Sequence, residues 1–149
     1  MIWFNKKNPA AVFADIREEK HILCDGRKLE ISPDVKMDFR SMPFDDNSFH
    51  LVVFDPPHLK GAGKTGWQAK KYGSLGPAWA SEIKSGVDEC FRVLKPNGTL
   101  IFKWNEHSIK VSEVIKAIGR EPLFGHRTMQ NNKTHWMTFM KLDSKVESK

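Results

Sequence analysis

Asp55-Pro56-Pro57-His58 is the stretch of this chain whose residue types and order could do chemistry, and it follows directly on the run Phe49-His50-Leu51-Val52-Val53-Phe54. An acidic residue and two prolines after a strand put a carboxylate and a carbonyl at the edge where open α/β sheets take ligands. Proline has a fixed φ and no backbone N–H, so the turn offers acceptors without competing donors and moves little. The Asp55 carboxylate and the Pro56 carbonyl would hold an exocyclic amino group between them and draw its nitrogen toward a nucleophilic geometry. His58 adds a flat ring on which a planar base could stack. The same four residues also describe a plain tight turn, so the surrounding elements must decide.

Those elements alternate. Apart from His50 the run at 49–54 is continuously apolar, the pattern of a central parallel strand covered on both faces. Upstream, residues 10–14 follow Pro9 and read as a short buried strand closing at Asp15. Residues 22–24 and 28–31 flank Asp25-Gly26 as a small hairpin, and 35–37 form a strand ending at Asp38. Downstream, Trp79, Ile83, Val87, Cys90, Phe91 and Leu94 recur at helical spacing. Lys95-Pro96-Asn97-Gly98 ends that helix, and residues 99–104 form the next strand. A second helix runs from about 108 to 118, with Val111, Val114, Ile115 and Ile118 on one face, and stops at Gly119. Two such helices can cover both faces of a sheet. Residues 123–128 and 134–140 then read as an antiparallel pair, across which His126 and His135 could face each other, and 143–149 as a frayed tail.

The chain has 149 residues and a mass of 17.1 kDa, enough for one domain over 1–142 with a single core. Its 40% hydrophobic and 28% charged content is that of a globular protein, and no apolar stretch nears the roughly 18 residues a membrane span needs. The opening residues lack the apolar core of a signal peptide, and Cys24 and Cys90 make no disulfide framework, so a reducing cytoplasm and no membrane partner are expected. The net charge of +6, from 24 Lys and Arg against 18 Asp and Glu, favours polyanionic partners. Six histidines show no ligand spacing, and no metal is expected. Trp3, Trp79, Trp104 and Trp136 are assigned to core or rim packing.

Asp15, Asp38 and Asp55 each close a separate predicted strand, and if those strands are neighbours the three carboxylates line one crevice. Singly, each could instead be a turn or cap residue. Gly63-Lys64-Thr65 copies the end of a nucleotide-triphosphate loop, but His58 stands where that motif needs its first glycine, and the match fails. Residues 59–72 are read as a mobile loop over the site, with Lys60, Lys64, Lys70 and Lys71 toward phosphates and Trp67 or Tyr72 toward a base, or else as a solvated basic loop.

Asp-Pro-Pro followed by an aromatic ring, the spacing of Asp15 and Asp38, the run Val93-Leu94-Lys95-Pro96-Asn97-Gly98 before a strand, and the closing hairpin together resemble S-adenosylmethionine-dependent methyltransferases of the class I fold. Among these the chain is similar to the amino methyltransferases of DNA, over essentially its whole length. The resemblance implies a Rossmann-like three-layer α/β sandwich, mostly parallel, with an antiparallel C-terminal hairpin. It implies methyl transfer from S-adenosylmethionine to an exocyclic base amine, leaving S-adenosylhomocysteine, with DNA preferred over RNA as partner. By that likeness Asp55 and Pro56 hold the target amine, Pro57 stiffens the turn, and His58 packs on the base. Asp15 with Ile16 takes the cofactor ribose, Asp38 with the Phe39 amide reads its adenine, and Asp55 stands beside the cofactor. The usual fourth residue of the tetrapeptide is Tyr, Phe or Trp, so His58 leaves the target base open.

Such enzymes carry a glycine-rich turn after their first strand, and no glycine precedes Gly26 here. Met1-Ile2-Trp3-Phe4 reads as the start of the helix that should follow that turn, so the strand and loop are expected to be missing or replaced, and a homodimer could complete the cleft. Two other readings stay open: a truncated, inactive binding module that keeps the fold, and methylation of RNA or a small amine.

Overall fold

A computed structural model describes residues 3–5, 7–22, 26–60, 73–127 and 133–143. The chain divides into two units, Met1–Pro43 and Phe44–Lys149.

In the first unit β1 (Ala14–Asp15), β2 (Glu19–Ile22), β3 (Lys28–Ile31) and β4 (Val35–Lys36) follow in order. The expected hairpin is present as the antiparallel pair β2 and β3. The strands β1 and β4 are parallel neighbours, with Asp15 opposite Lys36. The strand expected over 10–14 shrinks to its last residue. Asn8 accepts from the amide of Ala11 through its carbonyl (3.1 Å) and from that of Ala10 through its side chain (3.0 Å), bending this stretch into a turn. Of the expected opening helix, Met1 and Ile2 lie outside the described residues, while Trp3, Phe4 and Asn5 have no regular structure and the Trp3 ring meets Phe13 edge-on at 5.0 Å.

The second unit runs β5 (Phe49–Phe54), α1 (Trp79–Val93), β6 (Leu94–Asn105), α2 (Val111–Ile118), β7 (Phe124–Arg127) and β8 (Thr134–Met140). Its sheet has the order β5-β6-β8-β7. Strands β5 and β6 are parallel and joined through α1, while β8 is antiparallel to both β6 and β7. This is an α/β fold, compatible with a Rossmann-like arrangement.

Three expectations need correcting. Strand β5 lies at an edge of the described sheet rather than at its centre, because it pairs with β6 alone, and His50 and Leu51 are exposed. The two helices do not divide between the faces: α1 packs on α2, so they share one side. In the hairpin His126 pairs with Trp136, and His135 with Arg127, so the two histidines are one residue out of register.

The core forms where helical and strand periods coincide. Leu100, Phe102 and Trp104 of β6 and Met137 and Phe139 of β8 are buried on one face, with Ile83, Val87, Cys90 and Val93 of α1 and Val114 and Ile118 of α2. Each such side chain contributes about 1.5–3 kcal/mol on burial. Helix α1 passes straight into β6, and its last carbonyls are taken by the start of the second unit: Asn47 N–H donates to Arg92 O (3.1 Å) and Ser48 N–H to Val93 O (2.8 Å). The Arg92 guanidinium returns the tie by donating to Phe44 O (2.8 Å) and Asp46 (2.7 Å). These contacts fix where β5 begins, and hence where it ends. Helix α2 starts at Val111 rather than near 108: Trp104 Nε1 donates to Ile109 O at 3.0 Å within a turn and bend, and the N-cap Lys110 is extended. It ends as expected at Gly119, in the left-handed region at φ 68°.

Candidate functional site

Strand β5 delivers Asp55 by burying its last residue. Phe54 packs against Phe102 of β6 with ring centroids 5.4 Å apart, and Pro56 is buried just beyond. Side chains alternate along a strand, so with Val53 beside Ile101 and Phe54 beside Phe102, the next positions, Asp55 and Lys103, stand on the face of Val53 and Ile101. They meet there: Lys103 Nζ donates to Asp55 Oδ2 at 2.7 Å. The Asp55 side chain is 38% exposed and that of Lys103 is 23% exposed. The ammonium also lies 5.9 Å from the ring centroid of Trp136, its cross-strand neighbour on β8.

His58 is half-buried and meets Trp104 edge-on, with centroids 6.4 Å apart and planes at 75°. Burial pushes its imidazole below the ordinary value, and the nearby charges of Lys103 and His107 act the same way. The Asp55 carboxylate and a hydrogen bond to the Pro56 backbone oppose that shift without cancelling it. The ring is therefore neutral at pH 7. Both acceptors expected to hold an amine, the Asp55 carboxylate and the Pro56 carbonyl, thus already face donors from the chain itself.

Asp15 ends β1 as expected, whereas the strand expected over 35–37 stops at Lys36, so Asp38 lies two residues past β4, in an isolated bridge with Ser41. Each is held by an arginine two residues on. Arg17 donates to Asp15 from its amide (2.9 Å), Nε (3.0 Å) and Nη2 (2.9 Å). Arg40 does the same to Asp38, from its amide and Nε to Oδ1 (2.9 Å each) and from Nη2 to Oδ2 (2.6 Å). The Arg40 guanidinium lowers the Asp38 carboxyl below the usual carboxylate value. Ile16 is exposed, and Phe39 is partly buried in a turn closed by Ser41 N–H donating to Asp38 O at 3.0 Å. The three aspartates do not share one sheet: β1 and β4 form a two-stranded sheet in the first unit, while β5 belongs to the four-stranded sheet of the second.

Lys60 is exposed at the start of the predicted loop; Lys64, Trp67 and Tyr72 lie outside the described residues. The flanks of that loop are joined, with Leu75 N–H donating to Leu59 O at 2.8 Å. Gly73 adopts φ 74°, and a Cβ there would come within 2.9 Å of Pro57 Cγ, so its bare backbone is what allows the chain to pass the Pro-Pro turn.

Sequence reasoning missed Lys103, Arg17 and Arg40, though signals for each exist. Lys103 is a cation within the apolar run 100–104 of β6, in phase with Ile101. Asp15-Ile16-Arg17 and Asp38-Phe39-Arg40 repeat one Asp-x-Arg spacing at two strand ends. No helix of the described residues is long and apolar enough to cross a membrane.

No protein-family model matches the chain, and no curated protein matches it. Among solved structures, the cyclase SpnF aligns with 60% of this chain and 32% of its own length, at 17% identity and a TM-score of 0.35. TTHA0409 of Thermus thermophilus, described as a candidate DNA modification methylase, aligns with 67% of this chain and 47% of its own, at 17% identity and a TM-score of 0.39. The chain therefore spans less than half the length of either. Likenesses of this size leave the chemistry to be argued from the residues themselves.

An adenosine presents a ribose diol and an exocyclic amine, all hydrogen-bond donors, and needs acceptors. Asp15, at the end of β1, and Asp38, two residues past the parallel β4, are acceptors of that type, and such donors would have to displace Arg17 and Arg40 from them.

Proposed function

We propose that this chain carries S-adenosylmethionine-dependent methyl transfer to the exocyclic amine of a nucleobase, in DNA. The observation that carries this reading is the nitrogen on Asp55. At the end of a parallel strand, beside a stiff Pro-Pro turn, the carboxylate accepts from the Lys103 ammonium at 2.7 Å, in the place a target amine would take. S-adenosylmethionine, when bound, supplies an electrophilic sulfonium methyl group.

The residues of the chain do the positioning, which is most of the catalysis when the leaving group is already good. Asp15 and Asp38 hold the adenosine through its diol and amine. Asp55 accepts a hydrogen of the target amine and orients the nitrogen lone pair, and the Pro56 carbonyl accepts the second hydrogen in place of His58. A neutral His58 adds no charge that would repel the cationic methyl donor.

Labelled-methyl transfer onto DNA, RNA and a pool of small amines tests this. Asp55→Ala should abolish transfer while leaving S-adenosylhomocysteine binding nearly intact, and Asp55→Asn should keep part of it, since an amide oxygen still accepts. Full turnover by Asp55→Ala on any substrate of the wild-type chain would remove Asp55 from the reaction. Transfer to none of the three pools would leave the chain a binding module.

A further inference from the structure

Lys103 stands where the proposed reaction needs its substrate. Its ammonium is held by strand register, one residue past the pair Phe54 and Phe102, not by chance on a mobile surface. An ammonium gives a carboxylate a charge-assisted hydrogen bond, stronger than that from the neutral amine of a base. A free base or nucleoside is therefore a poor competitor for Asp55. A nucleotide strand brings its own remedy, because a phosphodiester is an anionic acceptor for the displaced ammonium, and the flexible four-carbon stem of lysine lets Nζ move while its backbone stays in the sheet. The net charge of +6 agrees with a polyanionic partner.

We propose that Lys103 selects a phosphodiester strand as substrate: a backbone phosphate draws its ammonium off Asp55 and leaves the carboxylate to the target amine. The inference rests on the methyl-transfer reading and names the substrate class for it. No covalent bond changes in the exchange. The Lys103 to Asp55 hydrogen bond is replaced by one from Lys103 to phosphate and one from the target amine to Asp55.

The test uses the full chain with two readouts. Labelled-methyl transfer is compared for single-stranded oligonucleotides, one of DNA and one of RNA, and for 2′-deoxyadenosine and 2′-deoxycytidine. Binding of the same oligonucleotides is followed by fluorescence anisotropy between about 50 and 200 mM salt. The wild-type chain should prefer an oligonucleotide over a nucleoside. Lys103→Met should narrow that preference by about tenfold or more, raising kcat/KM for the nucleoside and KM for the oligonucleotide. It should also reduce the salt slope of binding by about one phosphate contact. Lys103→Arg should keep both properties, and Lys103→Gln replaces Lys103→Met if the latter does not fold.

An unchanged salt slope would show that Lys103 meets no phosphate and overturn the inference whatever the turnover. Equal changes for nucleoside and oligonucleotide would overturn it too, leaving Lys103 a plain competitor or a structural residue. A reduced slope with no transfer to any substrate would uphold the phosphate contact and sink the methyl-transfer reading instead. The DNA and RNA arms tell which strand supplies the phosphate.

Discussion

Asp15, Asp38 and Asp55 each lie at or just past the end of a strand, and each carries a cation of the chain: Arg17, Arg40 and Lys103. A cation removes most of the cost of holding a carboxylate out of bulk water, but it also sets the threshold a ligand donor must pass. His58, near Asp55 and Lys103 in the second unit, differs, since burial rather than pairing governs its charge. Its folded-state value lies below the ordinary 6.5 of the unfolded chain. The unfolded chain therefore takes up the proton first as pH falls, and stability that is complete above about pH 6.5 is lost on the way down through the folded value. His58→Gln should lose less of its urea midpoint than the wild-type chain does between about pH 7.5 and 5.5. Equal losses in the two proteins would mean that His58 does not resist protonation.

At the scale of elements, what was legible in the sequence is what short-range periodicity decides. Helix α1, the strand expected over 99–104, which lies within β6, and the Gly119 stop follow from side-chain spacing and from one residue free to take positive φ, though β6 already starts at Leu94 and includes the residues expected as the helix stop. The position of β5 at an edge was not legible, because a continuously apolar run states that a strand is covered, not which strands flank it. Nor was the register of His126 and His135, which depends on the turn that joins their strands. In the candidate site the three aspartates could be read at the ends of the expected strands and Arg17 and Arg40 lay within reach of their local Asp-x-Arg spacing, but the Lys103 pairing could not be fixed, because it spans 48 residues and depends on parallel register. Gly73 carries the next element-scale consequence. At φ 74°, against Pro57, Gly73→Ala combines left-handed strain with a contact of 2.9 Å, and should cost about 1–3 kcal/mol. Because Pro57 is the neighbour that must give way, transfer should fall with stability. A urea midpoint equal to that of the wild-type chain would show that the loop closes against the Pro-Pro turn in some other way.

At the scale of the molecule, burial is unequally divided. Among the described residues every buried apolar side chain, from Phe54 to Phe139, belongs to the second unit. The first unit supplies Asp15 on β1 and Asp38 just past β4, strands of two residues each. Elements with little buried apolar surface open at low free energy, and ligand binding to the closed form stabilises them by mass action. If Asp15 and Asp38 hold the adenosine, S-adenosylhomocysteine should act on the first unit first. We expect affinity in the micromolar to millimolar range, about −8 to −4 kcal/mol, since Arg17 and Arg40 must be displaced. Native-state hydrogen exchange should then show fast amides at 14–15 and 35–37 without ligand. At about a hundredfold excess over Kd those amides should slow by about 100-fold, equivalent to about 2.7 kcal/mol, while β6 and β8 exchange as before. Protection confined to β6 and β8, or none in the first unit at saturating ligand, would take the adenosine away from Asp15 and Asp38 and leave Asp55 and Lys103 as a site without that cofactor.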